Sequence, residues 1–531
     1  MDASESGVLV EDEQRFSQSI LWKLQRQFYE VRGPTAWSSG AVPSYVTSNP
    51  YIAQVYAHVV LAYLRDAMPT LDPKQPIYIV ELAAGSGRFS YLFLKTFHAL
   101  KSASSLRALD CRYVMTDFTL SNVRAWAAQP LYRSFLDAGL LHFGLFDMER
   151  DREIALISGE TLSAATVRNP IIAIANYAFD TLVQDQFRVE NGKLHEVRMS
   201  LRSRHGHPPD LGRPEIMSEL VSRFTLREIG TDYYGDRELD AILATYCGRL
   251  AETTFTVPVG ALTAVRHLAE IAGGRLLVLS SDKGMTHEDE LHGIGQQPIE
   301  FHGSLSMMVN YHALGLFFTG RGGLYASTSP RDGGLRTAAL LLGGEAERFA
   351  DTILSFRERA DVFGPYDVFT LVGRLRKDVQ AISAEQFLCL LRLTHFDPYI
   401  VHQFGRDAVN AVQGASDVLQ MELRLALDRV WDNYFPVGND LGFEMGRLFM
   451  ALKRPREGIR VNQHSIDHFG ENAGTYANQG ICYYQAEEPD EAIRCFDRAI
   501  ALKPDFAAAL AWRTRVIAER ERIAEAPAVT R

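Results

Sequence analysis

The sequence predicts an α/β domain with a mainly parallel sheet, followed by an all-helical domain that ends in repeats. Apolar strand-like runs alternate with helical runs over the first two-thirds of the chain, which is typical of a parallel sheet covered by helices. A glycine loop separates one buried strand from a helix. Near the end, one residue pattern recurs after 34 positions. A chain of 531 residues is too long for one hydrophobic core, so we expect two or three structural units.

The composition argues against several classes of protein. Apolar residues make up 47% and charged residues 23%, as in ordinary globular proteins rather than disordered ones. The net charge of -10, without a long Lys/Arg block, argues against nucleic acid as a partner and suits a basic substrate better. The five cysteines and the histidines His287, His292, His302 and His312 lack metal-ligand spacing, so we predict no metal site. We expect a cytoplasmic protein with no membrane partner, because neither a targeting signature nor an apolar run of ~18 residues is present.

The elements of the first domain, predicted to span 17–343, follow in chain order. Residues 1–16 are polar and are expected to be flexible. Helical spacing of apolar residues follows at 16–28 and again at 49–64. Strand-like runs lie just before residue 81 and at 112–116, 170–175, 186–189 and 275–280. The stretch 213–270 has a mainly helical pattern, so we predict a helical insertion or lid near the ligand edge of the sheet.

The strongest chemical signal is the run ELAAGSG at 81–87, between a buried strand and a helix. Its glycines, Gly85 and Gly87, permit positive φ angles and let a ligand approach the backbone at the carboxyl end of the strand. The acidic Glu81 suits a ligand that bears an ammonium and a sulfonium, whereas it would repel a pyrophosphate. The incomplete G-x-G-x-x-G pattern likewise favours S-adenosylmethionine over a dinucleotide.

Two further acidic residues follow strand-like runs. Asp117 ends the run YVMTD, where its carboxylate could accept hydrogen bonds from ribose hydroxyls; the alternative is a cap at the strand end. Asp147 follows LLHFGLF and could meet an adenine amino group, or could equally cap a helix that begins near Glu149.

From about residue 344 the pattern is helical only. The segment PREGIR at 455–460 recurs as PDEAIR at 489–494, which is the tetratricopeptide period. The last unit carries aromatic and small residues at the consensus offsets: Tyr476, Gly480, Tyr483, Ala492, Phe496, Ala499 and Pro504. We therefore predict tetratricopeptide repeats over 436–531, and for 344–435 either divergent repeats or a separate helical region.

Four segments of the first domain, in order, resemble the MidA-type methyltransferases. They are GAVPSYVTSNPYIAQVYAHVV, ELAAGSGR, YVMTDFTLSNVRAW and NPIIAIANYAFDTLVQDQFRVENGKLHEVRM. The resemblance covers residues 20–330 and implies a Rossmann-like class I fold with S-adenosyl-L-methionine as cofactor. Where that family has an Asn-Glu pair, a first loop glycine and a His-Val-Asp-Phe segment, this chain has Tyr177, Ala83 and Asn310.

The resemblance also implies roles for individual residues. It places Thr47, Ser48 and Pro50 near the methionine end of the cofactor, Glu81, Gly85 and Gly87 around its centre, and Asp117 at the ribose. We also predict that Ala83, Asp147 and Asn176 bind the cofactor. Asn176 and Asp180 are expected to face the methyl group as catalytic residues, with Asp180 as proton acceptor.

The sequence thus predicts a methyltransferase that acts on a protein or peptide recruited by its repeats. Three alternatives stay open: a scaffold or assembly factor that retains the cofactor, a small-molecule methyltransferase, and a nicotinamide oxidoreductase. The sequence leaves the substrate, the methylated atom and the oligomeric state undetermined.

Overall fold

A computed structural model describes residues 7–40, 42, 45–205, 207–213, 215–297, 299–302, 304–331, 333–378 and 381–525. It separates into two compact units, Met1–Tyr366 and Asp367–Arg531. The first is a mixed α/β unit, and the second is helical throughout its described residues. The first unit extends beyond the predicted end at residue 343, because the last strand of the sheet, Leu335–Leu342, is followed by a helix, Ala350–Phe356, that packs on the helix Pro50–Ala67 of the same unit.

The strands are β1 Leu9–Arg15, β2 Ile77–Glu81, β3 Cys111–Asp117, β4 Leu141–Leu145, β5 Ile154–Leu156, β6 Thr161–Leu162, β7 Ile171–Asn176, β8 Asp185–Glu190, β9 Lys193–Ser203, β10 Leu220–Ile229, β11 Thr253–Val257, β12 Leu276–Met285, β13 Glu300–His302, β14 Ser304–Ser306, β15 Val309–Asn310, β16 Leu324–Ser327 and β17 Leu335–Leu342.

The helices are α1 Ile20–Arg32, α2 Thr35–Ser38, α3 Pro50–Ala67, α4 Arg88–Ser102, α5 Leu120–Ala127, α6 Arg133–Asp137, α7 Arg237–Arg249, α8 Val259–Ile271, α9 Tyr311–Gly320, α10 Ala350–Phe356, α11 Pro365–Asp378, α12 Ala384–Leu393, α13 Pro398–Gln413, α14 Asp417–Asp432, α15 Gly442–Ala451, α16 Pro455–Phe469, α17 Ala473–Gln485, α18 Pro489–Leu502 and α19 Ala507–Glu525. Short 3-10 turns lie between several elements, among them Phe179–Thr181 between β7 and β8.

The central sheet has the strand order β16-β17-β12-β7-β2-β3-β4-β5-β6, with β15 beside β12. Strands β4, β3, β2, β7 and β12 run parallel, whereas β17 lies antiparallel between β12 and β16. The sequences of β2 and β7 are almost wholly apolar because helices cover both faces of such a sheet. The chain reverses its direction of winding at β2, so the carboxyl ends of β2 and β7 flank a crevice.

A second, antiparallel sheet of five strands was not predicted. It has the order β1-β9-β8-β11, with β10 on the free side of β9. The prediction of a flexible segment at 1–16 is wrong for 9–15, since β1 pairs with β9; residues 1–6 lie outside the described part of the chain. The helical insertion predicted over 213–270 is also wrong, because β10 and β11 lie within it beside α7 and α8.

In the second unit, consecutive helices from α15 to α19 pack on each other. In the pair α17 and α18, small residues allow close approach: a Cβ atom on Gly480 would lie 2.8 Å from the ring of Phe496. Ala492 and Ala499 on α18 are fully buried. These are the contacts that the consensus offsets of a tetratricopeptide repeat provide.

Candidate functional site

A cavity of about 330 Å³ lies at the carboxyl ends of β2, β3, β4 and β7. It falls within the size range of small-molecule sites, at the switch point of the sheet where α/β proteins bind ligands. Most of the predicted cofactor residues line it: Thr47, Ser48, Glu81, Ala83, Gly85, Asp117, Asp147 and Asn176. The predicted residues Pro50, Gly87 and Asp180 are not among its lining residues.

The loop after β2 forms one wall of the cavity, in a conformation that its residue types explain. Gly85 and Gly87 have φ angles of +55° and +81°, in the left-handed region that favours glycine. Ala83 has φ +49°, so it keeps the conformation of a loop glycine although it carries a Cβ atom. Trp126 Nε1 donates a hydrogen bond of 2.8 Å to the carbonyl of Gly85, and the ring of Trp37 lies 2.9 Å from where a Gly85 Cβ would be.

Glu81, the last residue of β2, is 4% exposed. Its Oε2 accepts hydrogen bonds from the hydroxyls of Ser90 and Tyr113, the latter at 2.7 Å. Burial raises the pKa of Glu81 to about 7, and these hydrogen bonds oppose the shift. A cationic ligand group would favour the ionised form of Glu81 and so would lower this pKa.

At the end of β3, Asp117 holds its own turn together. Its Oδ1 accepts two hydrogen bonds of 2.8 Å from Thr119, from the backbone N–H and from the hydroxyl. Its Oδ2 accepts one of 2.9 Å from Asn122 Nδ2. The structure therefore shows the strand-end cap that was the alternative to ribose binding, with acceptor capacity remaining at Oδ2.

Asn122 contributes an acceptor that sequence reasoning missed. It lines the cavity, is 1% exposed, and its Oδ1 is buried without a hydrogen-bond partner. Because its Nδ2 donates to Asp117, the orientation of the amide is fixed and the oxygen is left for a ligand. Its signal in the sequence, an Asn five positions after the strand-end Asp117, becomes interpretable only when the turn is seen.

Asp147 lies at the cavity but is engaged by charged and backbone groups. Arg26 Nη1 is 2.7 Å from its Oδ2, and the N–H of Glu149 donates to its Oδ1 at 3.2 Å. The Arg26 guanidinium also stacks over the ring of Phe118, 4.3 Å from its centroid. The proposed contact with an adenine amino group would have to compete with this ion pair.

Asn176, predicted to be catalytic, joins three segments of the site. Its Oδ1 accepts hydrogen bonds from the hydroxyl of Tyr56 at 2.8 Å and from the N–H of Ser281 at 3.1 Å. Its Nδ2 donates to the carbonyl of Thr47 at 3.1 Å. One amide N–H is left over, so this side chain chiefly fixes the walls around the cavity.

Tyr177 and Asp180 differ in how they relate to the cavity. Tyr177 lines it and has φ +46°, a strained value for a bulky residue of the kind that clusters at functional sites. Asp180 is 6% exposed and lies behind the lining, with its N–H donating to Asp282 Oδ2 at 3.1 Å. Asp180 is thus not a lining residue of the cavity, and its place facing the methyl group stays a prediction.

The N-terminal helix α1 covers the cavity, which no sequence pattern indicated. Trp22, Arg26 and Tyr29 of α1 line it, together with Trp37, which stacks on Tyr29 with ring centroids 5.9 Å apart. The strand before α1 is fixed by the Arg15–Asp185 ion pair at 2.7 Å, half-buried on the arginine side. Such contacts join residues far apart in sequence, so local periodicity cannot reveal them.

No group of three or more His, Cys, Asp or Glu side chains in the described ranges is arranged to hold a metal ion. No helix among the described residues is long and apolar enough to span a membrane.

Comparison with known proteins adds one family and two similar structures. Residues 473–506 match the tetratricopeptide repeat family, whereas no curated protein matches the sequence significantly. The chain resembles an uncharacterized protein from Burkholderia thailandensis, at 15% identity and a TM-score of 0.38, over 66% of this chain and 91% of that one. A second structure, of a COG1565 superfamily member and candidate methyl transferase from the same organism, contains S-adenosyl-homocysteine and gives the same identity and TM-score over 66% of this chain and 92% of that one. A TM-score of 0.38 transfers neither a ligand nor an activity to this chain.

Proposed function

We propose that this protein is an S-adenosylmethionine-dependent methyltransferase of the MidA type, with its cofactor in the cavity at the carboxyl ends of β2, β3 and β7. The observation that carries the proposal is the convergence on one cavity of a glycine loop, the buried Glu81 and the Asp117–Asn122 pair. The glycine loop offers backbone at close range, and the polar side chains suit a cationic, hydroxyl-bearing ligand.

The order of the sheet supports a methyltransferase over an oxidoreductase. The sequence β4-β3-β2-β7-β12 repeats the 3-2-1-4-5 order of doubly wound sheets. A dinucleotide-binding sheet continues with a sixth strand next to the fifth, whereas here the antiparallel β17 occupies that place. This order supports the proposal that the sheet is the class I methyltransferase variant of the Rossmann-like fold.

The residues present fit the cofactor in three places. The unpartnered Asn122 Oδ1 and the remaining capacity of Asp117 Oδ2 provide two acceptors side by side for the two ribose hydroxyls. The loop at Ala83 and Gly85 would pass along the middle of the cofactor, and Glu81 would face the cationic amino-acid end of the cofactor. Arg26 would have to leave Asp147, or share it, for the adenine to bind there.

The cofactor supplies an electrophilic methyl group on a sulfonium. The chain's own contribution is alignment and exclusion of water, since α1 and Trp37 close the cavity above the loop. Tyr177, held at the end of β7 by the hydrogen bond of its N–H to the carbonyl of Ser281 at 3.0 Å, is the side chain best placed to orient the acceptor.

The repeats suggest the class of substrate. Tetratricopeptide repeats commonly bind peptides or protein segments, so we propose a protein or peptide as the methyl acceptor or as a scaffolded partner. A small-molecule acceptor is the alternative.

A methyl-transfer assay tests this proposal. The full chain would be incubated with S-adenosylmethionine labelled on the methyl group and with protein and small-molecule fractions of a cell extract. Label in a protein band supports a protein acceptor, and label in the small-molecule fraction supports the alternative. Gly85→Arg is the matched inactive control, because the new side chain would collide with Trp37.

One observation favours a second candidate, a cofactor-binding scaffold. Asp180 lies behind the cavity wall, and three hydrogen bonds already engage the Asn176 amide. A scaffold would bind S-adenosylmethionine and transfer no label to either fraction.

A further inference from the structure

The central sheet ends at β16, and the outer edge of this strand is open. No strand in the described part of the chain pairs with that edge, and all four residues of Leu324–Ser327 are only partly buried. By contrast, every residue of the neighbouring β17 is buried. The sequence LYAS of β16 contains neither a charge nor a proline, which are common devices that protect an edge strand from pairing with another chain.

The register of β16 shows which of its backbone groups face outward. The N–H of Thr328 donates to the carbonyl of Thr337 at 2.9 Å, directly after the pair formed by Ser327 and Ala338. Along an antiparallel pair, residues alternate between bonding to the partner strand and pointing away from it. The N–H and C=O groups of Tyr325 and Ser327 therefore point to the open edge, where they can bond to a further strand.

A cavity of about 810 Å³ lies along this edge of the first unit, and we call it the edge groove. Its walls include all four residues of β16 and, opposite the strand, residues of α10 and of the π-helical turn Arg357–Asp361 that follows α10. Leu354, on α10, is 55% exposed and lines the groove. Extended peptides bind at such open edges by adding a strand to the sheet, and neighbouring pockets select their side chains.

One cation of the edge groove has no acidic partner. Among the described residues, no acid forms an ion pair with Arg357. The two acids that line the groove are paired with other cations: Arg249 Nη1 is 3.0 Å from Glu288 Oε2, and Arg331 Nη2 is 3.9 Å from Asp361 Oδ1. A carboxylate that enters the groove would therefore find the Arg357 guanidinium available, whose N–H donors match a carboxylate in geometry.

The spacing of Leu354 and Arg357 fits an extended peptide. The two residues are three positions apart, so their side chains are neighbours on one helix face, with about 5–6 Å between their Cβ atoms. In an extended chain the side chains of residues i and i+2 point to the same side, about 7 Å apart. An apolar residue and an acidic residue two positions apart can therefore reach Leu354 and Arg357 together.

We propose that the edge groove binds an extended, acidic segment of a partner protein. The segment pairs as an added strand with Tyr325 and Ser327, lays an apolar side chain against Leu354 and places an acidic side chain on Arg357. The edge groove shares no lining residue with the cavity at the glycine loop. Its binding of a partner does not depend on the proposed function.

A displayed library of random seven-residue peptides supplies the probe, selected on the immobilised full chain without S-adenosylmethionine. We expect the recovered peptides to carry Asp or Glu two positions from an apolar residue. One of them, labelled with a fluorophore and blocked at both ends, is then titrated by fluorescence anisotropy. Arg357→Glu and Leu354→Glu should each weaken its binding about tenfold. The matched control is Arg359→Glu, which changes an exposed arginine of the same π-helical turn outside the groove lining and should leave the affinity unchanged.

Methylation of the peptide backbone tests the added strand. A methyl group on every second peptide nitrogen should abolish binding, because those N–H groups face β16, whereas methylation of the intervening nitrogens should be tolerated. On the protein side, Ser327→Pro removes an outward N–H and no bond to β17, so it should weaken binding about tenfold. If Ser327→Pro does not fold, the methylation scan decides this point alone.

Several outcomes would overturn the proposal. One is a selection that yields no binding peptide, and another is a selected peptide that binds Arg357→Glu as tightly as the wild type. A methylation pattern without a period of two would mean that the peptide binds elsewhere, for example on the repeats. A dimer in analytical ultracentrifugation that Ser327→Pro converts to a monomer would mean that β16 pairs with a second copy of the chain. None of these outcomes decides the proposed function, because peptide binding is measured without the cofactor.

Discussion

Gly87→Ala tests the geometry of the loop on which the site depends. Gly87 precedes α4 with φ +81°, and an added Cβ would collide with the hydroxyl of Tyr132. That hydroxyl is buried and donates to the carbonyl of Gly87 at 2.6 Å. The substitution must therefore strain the backbone and also displace Tyr132.

The expected loss follows from these two contributions. A left-handed conformation costs a residue with a Cβ about 1 kcal/mol, and loss of the buried hydrogen bond adds about 2 kcal/mol. We therefore expect Gly87→Ala to lower the free energy of unfolding by about 3 kcal/mol. Gly139→Ala isolates the first contribution, because Gly139 has φ +66° and no atom lies within 4 Å of the place that a Cβ would take; it should cost about 1 kcal/mol.

Urea unfolding followed by tryptophan fluorescence measures both variants. Trp126, which bonds to the loop, reports on the first unit, and Trp431 and Trp512 report on the second, whose transition serves as an internal reference. If Gly87→Ala and Gly139→Ala shift the urea unfolding transition of the first unit equally, the contact with Tyr132 is not as described and the account of the loop fails.

Three further substitutions test other parts of the account. Asn122→Ala should weaken S-adenosylhomocysteine binding about tenfold in calorimetric titration, since it removes a buried acceptor for the ribose; an unchanged affinity would remove this residue from the site. Burial raises the pKa of Glu81 to about 7, so the stability that its protonated form contributes is present below pH 4 and is lost as the pH rises through 7. Over that rise the free energy of unfolding of the wild type should fall by up to about 3 kcal/mol relative to that of Glu81→Gln. Parallel pH profiles of the two proteins in thermal unfolding would contradict this. Gly480→Ala should destabilise the second unit by about 2 kcal/mol through overpacking, whereas Gly373→Ala, where a Cβ meets open space on α11, should not destabilise it in urea unfolding.

The sequence predicted the parts of the fold that depend on local pattern. The apolar runs of β2, β7 and β12 and the glycine loop at 81–87 are continuous in sequence, so their residue types alone indicate a strand followed by a ligand loop. The repeat at 473–506 was predictable for the same reason, and the family match confirms it.

Within the antiparallel sheet, β10 was missed because it lacks a clear alternation. In β10, buried and exposed positions do not alternate strictly, since the strand pairs only with β9 at the edge of the sheet and carries Arg223, Arg227 and Glu228 outward. The helices α7 and α8 on either side of β11 dominated the periodicity of that stretch.

The candidate site was predictable at the strand ends and not elsewhere. Glu81 and Asp117 follow apolar runs, so their position at the cavity could be inferred. Asn122 and Arg26 reach the site through a turn and a covering helix. Their contacts form only in the folded chain, between groups that sequence spacing does not relate.

Calorimetric titration of the full chain with S-adenosylmethionine and S-adenosylhomocysteine tests the central claim most directly. The account predicts that the wild type binds both and that Gly85→Arg binds neither, because the new side chain would occupy the space between the loop and Trp37. Gly192→Arg, at a turn with φ +71° and open space around its Cβ position, should bind both ligands as the wild type does. A wild-type chain that binds neither ligand, or a Gly85→Arg variant that binds normally, would contradict the placement of the cofactor and with it the proposed activity.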